Sequence, residues 1–118
     1  MNFTPFLKLL NVIKVLHWTT KSHAAHKELD EAYDNFSDKI DEFVECYLGK
    51  KTSSLPMTVG VIRLPENCTE DKPLDIFRLA YEDFHAEIKQ YAENSSMQSL
   101  LDDLDNIAYT LTYLLRMA

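Results

Sequence analysis

The chain has little that breaks regular structure: two glycines and four prolines in 118 residues. That scarcity excludes folds built from many short strands and tight turns, and points to long uninterrupted elements. Cysteine is equally sparse. Cys46 and Cys68 stand far apart with no paired-cysteine motif, which excludes a disulfide framework and reads as free thiols in a reducing, cytoplasmic setting. No apolar run approaches the ~18 residues needed to cross a bilayer, and the start MNFTPFLKLL shows no cationic leader, so no membrane partner is expected. Positive charge is also short. Twelve Lys and Arg against nineteen Asp and Glu give a net charge of −7 without a basic patch, which argues against nucleic acid as a partner. The length suits one domain, residues 1–118, around one core.

The apolar residues that are present recur at intervals of three and four, which is an all-α pattern. Thr4 as cap and Pro5 as first residue open a first helix whose stripe runs Phe6, Leu10, Ile13 and then His17, so His17 is expected to face inward. A second helix extends from about Ser22 to Leu48, with Leu29, Tyr33, Phe36, Ile40, Phe43 and Tyr47 on its apolar face and Gly49 as its stop. Residues 49–72 hold both glycines and two prolines and keep no period, although Met57–Ile62 reads as strand-like or packed. A third helix is expected from Pro73 to about Glu93, bearing Phe77, Ala80, Phe84, Ile88 and Tyr91. A fourth follows Ser95 and Gln98, a capping box, with Leu100, Leu104, Ile107, Leu111 and Leu114 as its stripe. The long segment then makes sense as a crossover joining two antiparallel helix pairs of a four-helix bundle.

The chemistry-bearing residues gather in HWTTKSHAAHKELD, residues 17–30, which holds three of the four histidines. On the second helix His26, Asp30, Asp41 and Glu45 fall within an arc of about 100°, taking ~100° per residue. They share a flank but not a site. Asp30 and Asp41 stand roughly 16 Å apart at ~1.5 Å per residue, whereas metal ligands lie about 2 Å from one ion. Two copies of the helix, antiparallel across a twofold axis near Phe36, would bring Asp41 and Glu45 of one chain to His26 and Asp30 of the other, with His17 completing each site.

The pattern His17-Trp18, then His26-x3-Asp30-x10-Asp41-x3-Glu45, resembles the ferroxidase motif of the Dps branch of the ferritin-like proteins, including small Dps-like proteins of tailed phages. The resemblance is motif-specific over residues 5–48 and architectural beyond. It implies a ferritin-like bundle in which His17, His26 and Asp30 form one half-site and Asp41 with Glu45 of a twofold mate the other. Iron would be the metal, with Zn or Mn as substitutes that the same ligands suit. The activity implied is oxidation of Fe(II) by peroxide or dioxygen, with Trp18 near that chemistry. The interval from His17 to His26 is three residues shorter than is usual in Dps, which leaves His23 as an alternative to His17. The basic terminal extension of Dps is missing, and a dodecameric cage is not implied.

Simpler readings stand beside these. A solvated helix flank accounts for His26, Asp30, Asp41 and Glu45, and a hydrogen-bonded core histidine for His17. A bundle used only for assembly, in an interaction or virion-associated protein, is the alternative function. Glu82-x-x-His85 matches the di-iron helix motif, but Glu82 lies about 160° round the helix from Phe84 and should face water. Asp102, Asp103 and Asp105 are expected to complement the dipole at the start of the fourth helix. Tyr109 and Tyr113 read as packing residues, and Cys46 as a structural thiol pointing away from Glu45.

Overall fold

Four helices carry the chain: α1 (Thr4–Thr19), α2 (His23–Gly49), α3 (Pro73–Ile88) and α4 (Ser95–Met117). The structure, a computed structural model, describes residues 1–51 and 55–118, so Thr52, Ser53 and Ser54 of the expected crossover lie outside the described residues. Among the described residues the only extended pairing is an isolated parallel bridge between Asn2 and Thr58, and the chain is all-α.

Each helix lays its apolar stripe against two neighbours. α1 packs on α2 and α3, and α4 packs on the same two, so the helices form a ring in the order α1, α2, α4, α3. Aromatic side chains fill the centre. Phe36, Phe43 and Phe77 are fully buried, and the Phe6 ring sits 5.9 Å from Phe43 and 5.7 Å from Phe84, joining α1 to α2 and α3. Burial of each such ring stabilises the fold by roughly 1.5–3 kcal/mol, so these aromatic contacts help to tie α1 to α2 and α3.

The crossover travels the length of the bundle, as its position between two antiparallel pairs requires. It starts beside the amino terminus: Phe3 N–H donates to Thr58 O (2.8 Å), Thr58 N–H to Met1 O (3.0 Å) and Gly60 N–H to Thr4 Oγ1 (2.7 Å). It ends at the other pole, where Lys21 N–H donates to Asp71 Oδ2 (3.2 Å). Asp71 adopts φ 56°, a left-handed conformation that Asp tolerates better than most residues, and turns the chain into α3. α3 therefore runs parallel to α2. Its link to α4 returns to the first pole, where Lys50 Nζ donates to Asn94 Oδ1 (3.3 Å) and Lys51 Nζ to Glu93 Oε2 (2.6 Å).

Several boundaries differ from expectation by a residue or a turn. Thr4 is the first helical residue of α1, not its cap; Asn2 Oδ1 accepts Thr4 N–H (3.0 Å), and the Thr4 hydroxyl is occupied with the crossover. Asn94, not Ser95, caps α4 by accepting Met97 N–H (3.0 Å), while Gln98 turns to Asp102 (3.0 Å). Phe3 is the N-cap of α1 and gives it no side-chain cap, whereas at α4 Asn94 takes the cap position, for which Asn and Ser are about equally suited. α3 stops at Ile88 and tightens into a single 3-10 turn, Lys89–Tyr91. On α4 the buried residues are Met97, Leu101, Leu104, Ala108, Leu111 and Leu115, and the expected Leu100, Ile107 and Leu114 lie half-buried on the margin.

Candidate metal centre

The junction of α1 and α2 is closed by two histidines. Ser22 caps α2, its hydroxyl accepting Ala25 N–H (3.2 Å), and this sharp entry sets the first turn of α2 against the last turn of α1. The His17 and His26 rings stack there, 3.9 Å between centroids and 21° between planes. His17 Nδ1 donates to the His26 carbonyl (2.9 Å) and His26 Nδ1 to the His17 carbonyl (2.8 Å). A carbonyl oxygen can only accept, so both rings carry their proton on Nδ1, and in the neutral ring the lone pair is left on Nε2. The bond to the His17 carbonyl also satisfies one of the acceptors that the end of α1 leaves without a helical partner.

Asp30 joins the pair one turn along α2, with Oδ1 3.8 Å from His17 Nε2. His17 has a side chain only 12% exposed, so it faces inward as its place on the stripe predicts, while His26 and Asp30 are exposed. His23, the first residue of α2, is exposed, and it is His26 that pairs with His17. Trp18 projects from the end of α1 with 68% of its surface exposed.

Asp41 and Glu45 are on the same helix but elsewhere. Both are exposed and line a groove of about 410 Å³ between α1 and α2, together with Leu7, Leu10, Val44 and Val59. Among the described residues no three His, Cys, Asp or Glu side chains of one chain stand close enough together to hold a metal ion.

A second polar cluster joins α3 to α4, and the sequence did not reveal it. Asp105 Oδ1 accepts both the Tyr81 hydroxyl (2.6 Å) and His85 Nδ1 (2.8 Å). Asp105 therefore belongs to the inter-helix packing, and neither it nor Asp102 or Asp103 lies in the first turn of α4, where no acidic residue is found. Burial first, and the Asp105 hydrogen bond second, push the Tyr81 phenol far above its ordinary value. Glu82 is exposed, so Glu82 and His85 do not converge. The readable signal for this cluster was confined to α3, where Tyr81 and His85 stand at i,i+4. The free cysteines divide: Cys68 is buried and Cys46 half-buried.

Comparison with known proteins places the chain in a family. Residues 17–115 match the model of a family of unknown function, DUF5856, and the chain belongs to it. The match begins at His17. An "Uncharacterized 14.6 kDa protein in mobD-ri intergenic region" of Enterobacteria phage T4 is 33% identical over 105 residues, which cover 84% of this chain and 73% of that protein. No solved structure matches the chain.

Proposed function

We propose that the protein is a Dps-like, ferritin-like protein that binds Fe(II) at sites shared across a twofold dimer and oxidises it with peroxide or dioxygen. The reciprocal bonding of His17 and His26 carries this reading. Histidines that bind metals characteristically donate the second ring N–H to a carbonyl or carboxylate, which fixes the tautomer and aims Nε2 at the ion. Both histidines here are held in that way. Asp30 supplies a hard oxygen beside them, a donor set that suits Fe(II) and would also accept Zn or Mn.

Iron is the substrate in this reading, and one chain offers it half a site. Asp41 and Glu45 of a twofold mate supply the remaining carboxylates. The groove they line is apolar, with Leu7, Leu10, Val44 and Val59 available to a partner helix. The ring order with its full-length crossover is the arrangement that a ferritin-like bundle requires. The phage origin of the T4 relative suits the small phage-borne branch of that group. The setting proposed is cytoplasmic, and no DNA-protecting role is proposed for a chain of net charge −7.

Anaerobic calorimetric titration of metal-free protein with Fe(II), followed by peroxide, tests the reading. Saturable binding and rapid growth of ferric-oxo absorbance are expected. Protein that neither retains Fe(II) nor speeds its oxidation would instead favour the assembly-only reading.

A further inference from the structure

On the flank of α2 away from the α1 groove, a second furrow of about 310 Å³ runs between α2 and α4. Its origin is a size mismatch. Ala32 on α2 faces Ile107, Leu111 and Leu114 on α4, and the short side chain leaves Ile107 and Leu114 only half-buried above the buried Leu111. The apolar surface continues outward along α4, where Tyr109, Tyr113 and Met117 recur every four residues with 69%, 57% and 69% of their surfaces exposed. Residues four apart differ by only ~40° around a helix, so the three form one stripe, and Met117 follows Leu114 by one turn and joins stripe to furrow. From Asn106 to Met117 the strip is roughly 16 Å long at ~1.5 Å per residue, the length of three helical turns and more than a small ligand spans. Tyr-rich exposed apolar strips of this kind are unusual on a surface that only meets water.

Charge identifies the occupant. Glu28 and Glu31 stand on the α2 rim of the furrow and take part in none of the ion pairs found among the described residues. Lys39, on the same flank of α2, is already held by Glu42 (2.9 Å) and Asp103 (3.4 Å). Arg116 lies about 160° round α4 from Leu114, beside Tyr109 at the outer edge of the stripe and away from the furrow. An acidic rim over an apolar floor is the complement of a basic amphipathic helix.

We propose that the α2–α4 furrow is a docking site for a cationic amphipathic helix of another protein, with Ile107, Leu111 and Leu114 as floor and Glu28 and Glu31 as charge clamps. The site does not depend on the iron reading, since it uses the other flank of α2.

The test uses the full chain and two synthetic peptides of about 14 residues, four helical turns. One carries leucines at i, i+3, i+4 and i+7 with flanking lysines, and the other has every lysine replaced by glutamate. Methyl NMR should show saturable shifts at Ile107, Leu111 and Leu114 with the lysine peptide and none with its charge reverse. The double variant Glu28→Gln, Glu31→Gln should weaken that binding about tenfold, and Glu66→Gln, Glu70→Gln on the crossover should leave it unchanged. The proposal is overturned if the lysine peptide shifts no furrow methyl, if the charge reverse binds as well, or if the Glu28→Gln, Glu31→Gln variant binds the lysine peptide as tightly as the parent does. Furrow shifts that appear on concentrating the protein alone would also overturn it, in favour of a second copy.

Discussion

His17 and His26 pin α1 to α2: their rings stack 3.9 Å apart, and each Nδ1 donates to the other residue's carbonyl. One arrangement thus closes the α1–α2 junction and sets both Nε2 atoms free. Structure and proposed chemistry share the same two rings, and they can be separated by substitution.

Replacing either histidine removes one inter-helix hydrogen bond and the stack. His26→Ala should cost about 1 kcal/mol in urea unfolding, the net worth of such a bond with its partly exposed ring, and His17→Ala somewhat more because His17 is nearly buried. The double variant should cost less than the two singles together, by at least about 0.5 kcal/mol, since each single already breaks the stack. Strictly additive losses would show that the two rings do not act as a unit.

Asp105 holds two donors on one oxygen. Asp105→Ala leaves the buried Tyr81 hydroxyl without its acceptor and should destabilise the protein by about 1–3 kcal/mol. Asp102→Ala, on the exposed side of α4, should stay within about 0.5 kcal/mol of the parent. Chemical denaturation of the two variants side by side gives the comparison.

Tyr81 should make the protein sensitive to alkali. Its phenol is raised in the folded state, so the folded chain keeps a proton that the unfolded chain loses above the ordinary value of 10.0. Stability is complete below that value and falls as pH rises through it, by up to ~1.4 kcal/mol per pH unit for one group. Tyr81→Phe should flatten the fall between about pH 10 and 11 relative to the parent, as read by the urea midpoint. An unchanged slope would mean that Tyr81 ionises without leaving its site.

The periodicity of the sequence was enough to place all four helices, because Phe6, Leu29, Phe36, Phe43, Phe77, Phe84, Leu104 and Leu111 mark the buried stripes and all lie in the core. The helix starts were less legible. Asn2 and Asn94, the second alone a true N-cap, each sit close to a Ser or Thr that could have accepted the same N–H, and only the backbone path decides which oxygen reaches it. At the candidate site, the i,i+4 spacing of His26 and Asp30 showed that they share a flank, and His17 pointed inward from its stripe. What no spacing reveals is the exchange of hydrogen bonds between two rings nine residues apart, since it depends on how tightly residues 20–22 turn. Asp105 was hidden for a similar reason: its partners lie on another helix, and nothing local to α4 distinguishes it from Asp102.

The proposed iron site is built from two chains, and mixing variants tests it directly. His17→Ala, His26→Ala protein keeps the Asp41 and Glu45 half, while Asp41→Ala, Glu45→Ala protein keeps the histidine half. Each alone should neither retain Fe(II) nor oxidise it. When the two are unfolded together and refolded as a mixture, the mixed dimers carry one intact site each, and Fe(II) oxidation should return. Activity retained by either variant alone, or none regained by the mixture when mixed dimers are present, would contradict the shared site.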